Sequence, residues 1–254
     1  MIRELAENPN LYQQPSGRRR LIKDPSGRFA VWLSLGSDPR SATVQRVRVG
    51  SDDVETTLHE IRSLLSREGR EGAEWEIGES CTPPDLVAQL IELGVAVDDE
   101  EPVAHGMVLR GGLHESAPEG VEARRVSSVA ELLLARQVQR EAFGDLRGDD
   151  ADTQADFARE GIDGSTFLAF VDGEPVAAAY AAYTDWGLLL FGGATVPAAR
   201  GRGAYRALVA ARAADGARRG TPDLITHAGR MSRPILERLG FDVVARIDRL
   251  LDVC

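Results

Sequence analysis

The most restrictive stretch of this 254-residue chain is Thr195-Val196-Pro197-Ala198-Ala199-Arg200-Gly201-Arg202-Gly203-Ala204-Tyr205. A β-prone run over 187–196 leads into it. A helical run over 203–219 follows, with Tyr205, Leu208, Val209 and Arg212 at i, i+3, i+4, i+7 spacing and Gly220 as the stop. A strand must therefore enter a helix through a turn that holds two glycines, two arginines and no carboxylate. The first amides of a helix have no intrahelical partner, and the helix dipole places partial positive charge there. Glycine lets backbone approach a ligand closely, and arginine adds charge-assisted contacts. A pyrophosphate is the natural occupant of such a turn.

The flanking pattern narrows the fold. A helix is predicted over 129–143, opened by Ser127 and Ser128, with Glu131 three residues after Ser128 as in a capping box. Three strands follow at 166–171, 175–183 and 187–196, joined by Asp172-Gly173 and by Asp185-Trp186-Gly187. After the 203–219 helix come a short strand at 223–226, a helix at 232–239 stopped by Gly240, and a last strand or hairpin arm at 241–251. The N-terminal half repeats this order more faintly: strands at 18–22, 29–35 and 43–49, a helix over 52–67, a short strand at 74–77, and a helix from Pro83-Pro84 to Leu93 followed by Gly94. Leu90-Ile91-Glu92-Leu93-Gly94-Val95 parallels Leu236-Glu237-Arg238-Leu239-Gly240-Phe241. A period near half the chain predicts tandem copies of one fold, with units at 1–116 and 119–254 divided within the polar stretch 111–120.

Three phosphate-binding loops compete for 195–205. A Walker A loop requires a lysine, and the chain's only lysine is Lys23. A dinucleotide fingerprint requires a third glycine where Arg206 stands, and a parallel βαβ sheet does not begin with hairpins, although Asp223 lies at the expected distance. The third candidate carries the reading. Arg200-Gly201-Arg202-Gly203-Ala204, with Pro197 upstream, resembles the cofactor loop of the GCN5-related N-acetyltransferases. Ser-Arg-Pro-Ile-Leu-Glu-Arg-Leu-Gly-Phe over 232–241 resembles that family's second motif. The resemblance covers about residues 119–254. It implies an α+β fold in three layers, with a mixed, mostly antiparallel central sheet flanked by helices, here in two tandem copies.

The resemblance also implies roles. Acetyl-CoA would be the co-substrate, with no metal. Loop groups of Arg200, Gly201, Arg202, Gly203, Ala204 and Tyr205 would hold the CoA pyrophosphate. The backbone of Ala194, Thr195 and Val196 would pair with the pantetheine arm like an added strand. Ser232 would start a helix near the cofactor, a position that a plain N-cap fits equally well. Gly192-Gly193 would mark a bulge that frees backbone groups, one of them an N–H toward the thioester oxygen. A simple strand kink is the alternative there. Two positions depart from the family pattern. Tyr205 stands where Gly or Ala is usual, and Leu236 stands where a tyrosine often serves as the proton donor.

An attacking amine must lose a proton, so a base is sought. His227, after the short strand, and Glu141, near the end of the first helix and beside the acidic loop 144–156, are the candidates. Tyr183 and Asp185 are weaker ones. An exposed or packing histidine and a solvated helix face are the plain alternatives. In the N-terminal half, Val49-Gly50-Ser51-Asp52-Asp53 stands where a phosphate loop would be, and its two aspartates would repel a pyrophosphate. That half is expected to bind no CoA and to help shape the acceptor cleft, with Trp32 and Trp75 in its core.

The formal net charge of −10 argues against a nucleic acid or an anionic membrane as partner. It suits an amine-bearing acceptor, a small molecule or peptide. The chain shows no leader and no run of 18 apolar residues, and Cys81 and Cys254 read as free thiols, so a cytoplasmic protein is expected. A homodimer is compatible with these features. The expected function is transfer of acetyl from acetyl-CoA to a primary amine by direct attack in a ternary complex. The alternative is a non-catalytic acetyl-CoA-binding or interaction module.

Overall fold

The computed structural model describes residues 1–15, 19–34, 36–113, 118–143 and 153–254. A short N-terminal helix, α1 (Ile2–Glu7), precedes strands β1 (Arg20–Lys23), β2 (Ala30–Leu33) and β3 (Ala42–Gln45). Then come α2 (Val54–Arg67), β4 (Gly72–Gly78), α3 (Leu86–Glu92), β5 (Ala96–Val97) and β6 (Val103–Leu109). The second half runs β7 (Val121–Arg125), α4 (Val129–Phe143), α5 (Thr153–Ala158), β8 (Gly164–Val171), β9 (Glu174–Thr184), β10 (Gly187–Thr195), α6 (Ala204–Arg218), β11 (Leu224–Ala228), α7 (Arg233–Arg238) and β12 (Asp242–Val253).

Each half repeats one arrangement. Antiparallel β1, β2 and β3 lead through α2 to β4, which is parallel to β3; antiparallel β8, β9 and β10 lead through α6 to β11, parallel to β10. The following helices stop in the same way. Gly94 and Gly240 have φ of +92° and +90°. Their amides bond the carbonyls of Ile91 and Glu237, and the next amides, Val95 and Phe241, reach back to Leu90 and Leu236, each at 3.0 Å. This is the Schellman stop, with its residue pair Leu236 and Phe241 buried together in one core. The departure at Leu236 thus has a structural occupant: the side chain is wholly buried and ends the helix.

The halves interleave. Strand order across the sheet is β1-β2-β3-β4-β12-β6-β11-β10-β9-β8-β7, with β5 beside β12. The last strand of the N-terminal half, β6, pairs with β11 from Leu109–Leu224 to His105–Ala228, while β12 pairs with β4 from Gly78–Ile247 to Gly72–Val253. β6 and β12 pair with each other at the centre. The backbone pairing therefore crosses the sequence division between 1–116 and 119–254. So does the packing. Leu250 of β12 lies in the core built by Val44, Leu58, Ile61, Leu65, Trp75 and Leu90, and Met107 of β6 lies in the core built by Phe167, Leu188, Leu208, Leu224 and Leu236. Trp32 and Trp75 are both buried, as expected.

Predicted strand and helix limits hold to within a few residues. Glu131 closes its capping box as read: Ser128 Oγ accepts from its amide at 3.2 Å, and its carboxylate accepts from the Ser127 amide at 2.7 Å. Sequence patterning missed β6 and β7, and it missed α1. That helix packs Leu5 and Ala6 against Val108, Ala182, Leu189 and Ile225 on the face of the sheet that also carries α4. The approach is close: a Cβ at Gly106 would lie 2.3 Å from the Ala6 carbonyl oxygen. Tyr12 then meets Trp186 edge to face at 6.0 Å between centroids. Arg19 pairs with Asp156 of α5 at 3.3 Å.

His227 on β11 ties these parts together. Its Nε2 lies 2.9 Å from the Ala6 carbonyl oxygen and its Nδ1 lies 3.3 Å from Oε1 of Glu76 on β4. Both neighbours are acceptors. Burial pulls the ring's pKa down, but the Glu76 charge and these hydrogen bonds raise it overall above the usual histidine value.

Two outcomes follow from this architecture. A fragment of residues 119–254 lacks β4, β5 and β6, so β11 loses one bonded neighbour and β12 loses all of its own; it is expected to show no cooperative thermal transition by circular dichroism, whereas the whole chain melts in one. Because the folded pKa of His227 is raised, its contribution is complete below its unfolded pKa of about 6.5 and is lost as pH climbs through the folded value. Urea midpoints of wild type relative to His227→Gln are therefore expected to be highest near pH 6 and to converge toward pH 9.

Candidate functional site

The site is built where β10 and β11 part. Their parallel register covers Leu188–Leu224, Leu189–Ile225 and Leu190–Thr226 and ends there, although β10 continues to Thr195 and β11 to Ala228. Thr226 Oγ donates to the Leu190 carbonyl at 2.9 Å and closes the paired end. On its other side β10 pairs with β9 at Phe191–Tyr180 and resumes only at Ala194–Ala178. Two residues, Gly192 and Gly193, thus stand against Ala179 alone, and Gly192 has φ of +57°. The Gly-Gly pair is a β-bulge rather than a kink. Gln139 of α4 donates to the Gly192 carbonyl at 3.0 Å from one face. The ring of Tyr205 presses on Gly193 from the other, where a Cβ would come within 2.8 Å of Cε2.

Beyond Thr195 the chain makes a single 3-10 turn, Pro197–Ala199, and enters α6. Gly203 is the N-cap, with φ of +87° and no side chain to occupy the first amides. A Cβ there would also stand 2.8 Å from Pro118. The amides that open this 15-residue helix therefore face out of the loop with the dipole's positive end behind them. Arg200 and Arg202 are both exposed on the loop. Arg200 Nε donates to the Thr195 carbonyl at 3.3 Å, and Arg202 meets Asp172 of the β8–β9 turn at 2.6 Å.

Tyr205 explains its own departure. Its ring fills the space beneath the bulge, and its phenol interacts with the hydroxyl of Ser232; burial raises its pKa. Ser232 is the N-cap of α7 by position, yet its side chain caps no amide of that helix. The pair links the start of α6 to the start of α7, on the two sides of the opening between β10 and β11. Thr195 Oγ1, at the end of β10, is buried with no hydrogen-bond partner.

The predicted residues thus fall into two groups. Ala194, Thr195, Val196, Arg200, Gly201, Arg202, Gly203, Ala204, Tyr205 and Ser232 converge on one opening. His227 lies on β11 just past the last pair with β10, with both ring nitrogens on acceptors as described above. Glu141 lies exposed in the last turn of α4. Residues 144–152 of the adjoining acidic loop lie outside the described residues. Tyr183 is engaged elsewhere: its hydroxyl bonds Ser165 and Asp215 at 2.6 and 2.7 Å, and burial pushes its pKa up to about 12. Gln139 and Arg212 were not singled out as site residues from the sequence. Each acts on a backbone carbonyl, which leaves no mark in a residue pattern.

No protein-family model matches the chain, and no curated protein matches it. Solved structures do. A GCN5-related N-acetyltransferase from Kribbella flavida is 25% identical, with a TM-score of 0.66 over 92% of this chain and 89% of that one. One from Sphaerobacter thermophilus is 17% identical, with a TM-score of 0.63 over 92% and 79%. A tandem GNAT protein from the clavulanic acid biosynthesis pathway is 16% identical, with a TM-score of 0.55 over 99% and 87%. These last two bear on the fold alone. With a mixed sheet opened between β10 and β11 and a glycine-capped helix at that opening, the chain has the fold of the GCN5-related N-acetyltransferases across nearly its whole length.

Proposed function

We propose that the chain binds acetyl-CoA at this opening and transfers its acetyl group to a primary amine of a small molecule or peptide. The observation that carries the reading is the Thr195–Tyr205 turn, an uncapped helix start beside parted strands. The residues present fit the cofactor. A diphosphate suits the α6 amides from Arg202 to Tyr205, with Arg200 and Arg202 adding charge. The orphaned Thr195 Oγ1 marks a place where a polar group is wanting a partner. Free edges of Ala194–Val196 suit an extended amide-bearing arm, and Ser232 borders its path.

Bound acetyl-CoA supplies an activated acetyl carbonyl. The chain's own groups do the rest. The bulged backbone at Gly192-Gly193 would offer an N–H to that carbonyl oxygen. The amine's proton goes to a base, with His227 and Glu141 as candidates. His227 can accept one only in its neutral form, which the facing Glu76 disfavours. Glu141 is open to solvent. The N-terminal half contributes α1 and Tyr12 to the α4 face, on the side from which an acceptor would approach. No helix among the described residues is long and apolar enough to cross a membrane.

The non-catalytic reading rests on a specific observation: Leu236 is fully buried and has no proton to give. A thiol's ordinary pKa of about 8.5 makes unassisted departure of the CoA thiolate feasible. Incubation with acetyl-CoA and a panel of primary amines, followed by a thiol reagent, separates the two. Amine-dependent thiol release is expected; no release with any amine on the panel, while acetyl-CoA still binds, overturns the enzyme in favour of the binding module. In calorimetry, Arg200→Glu combined with Arg202→Glu is expected to weaken acetyl-CoA binding about 10- to 100-fold, the loss of charge-assisted hydrogen bonds, with an unchanged melting curve because both side chains are exposed.

A further inference from the structure

Arg212 is the most unusual buried group in the molecule. It lies on α6, two turns past the cofactor loop, and is 1% exposed. Arginine is rarely buried without a carboxylate, yet Arg212 pairs with none among the described residues. Its Nε donates to the Leu208 carbonyl at 3.1 Å, and its Nη1 donates to the Tyr180 carbonyl at 3.3 Å. Burial lowers its pKa to about 10, which still leaves it charged at neutral pH.

Its location decides what that charge can do. Tyr180 is the residue of β9 opposite Phe191, where regular pairing with β10 stops before the bulge. Arg212 therefore anchors the strand that the bulge departs from, on the same side of the sheet as Tyr205. Gln139 holds Gly192 on the opposite face, and Tyr205 supports Gly193. The bulge is thus held from both faces, and the strand opposite it meets at Tyr180 a full positive charge with no carboxylate partner among the described residues, in a medium of low dielectric. The fold gains little from that charge. An apolar side chain of similar volume would avoid the desolvation penalty.

Resting on the acetyl-CoA reading above, we infer that Arg212 is a positioning residue, which sets the β10 bulge and aims its field at the thioester carbonyl held there. It does not touch the substrate. It acts by holding the Tyr180 carbonyl, across from the last regular pair before the bulge, and by the unneutralised charge it places beside that pair. A purely structural arginine would instead show itself as lost stability with an unaltered carbonyl.

The test uses the whole chain and acetyl-CoA labelled with carbon-13 at the thioester carbonyl. Calorimetry measures binding, and infrared difference spectroscopy reads the carbonyl stretch of the bound ligand. In wild type the band is expected below its position in buffer. Arg212→Met is expected to fold and bind, with the band returned to the buffer position, and Arg212→Lys to lie between. Arg212→Gln, which keeps donors without the charge, provides the comparison if the methionine variant does not fold. A band equally displaced in wild type and in the neutral variant overturns the inference. A wild-type band at the buffer position, with binding intact, overturns it too while leaving the acetyl-CoA reading standing. Absence of acetyl-CoA binding to wild type overturns both.

Discussion

The structure depends on the exchange of final strands at the centre of the sheet. β6 and β12 lie side by side, and each bonds on its outer edge to the parallel strand of the other half. Without β12 and β6 in these places β4 and β11 would each carry an unpaired edge, a liability that globular proteins cover. With the exchange, two halves of limited size share one sheet and lend each other core residues, Leu250 in one direction and Met107 in the other. The site inherits its rigidity from this arrangement. β11 is held by β6 on one side, so it can leave β10 on the other after three pairs without fraying.

The opening that results is lined by groups with different tasks. At its outer end, glycine and helix dipole present amides without a side chain in the way. Deeper in, the Gly192-Gly193 bulge turns backbone groups away from β9. Tyr205, Ser232 and Arg212 form a polar layer beneath it in an otherwise apolar core. A buried polar layer specifies one geometry because each misplaced member loses its partner in a low-dielectric surrounding. Tyr205 and Gly193 illustrate the point: the phenol ring has room only because the residue above it lacks a Cβ. Two features that look unrelated in the sequence, a strand glycine and a tyrosine in a glycine-rich loop, are one packing unit.

The acid–base chemistry has a different standing. The sequence points to His227 as a base because its strand leads into the opening. In three dimensions its ring spans Glu76 of β4 and the end of α1, contacts separated from it by 151 and 221 residues. Neither could be read from neighbouring residues. α1 itself is only six residues long, too short to show a period. Its place on the sheet follows from Gly106, whose missing side chain lets the Ala6 carbonyl approach.

What the residue order determined by itself is local. Glycines at 94, 203 and 240 permit the positive φ found there, so the two helix stops and the turn into α6 are written in local backbone sterics. The 3.6 and two-residue periods placed α2, α4, α6 and the main strands, and the Leu-Gly-apolar stops betrayed the repeat. Only the tertiary structure decided which strand lies beside which, that β6 belongs with β11, that His227 faces two acceptors, and that Arg212 enters the core with no carboxylate among the described residues to meet it. Periodicity reports which face of an element is buried but not against what. Pairing between residues a hundred positions apart is settled by backbone hydrogen bonds and shape, which act only once the chain is folded.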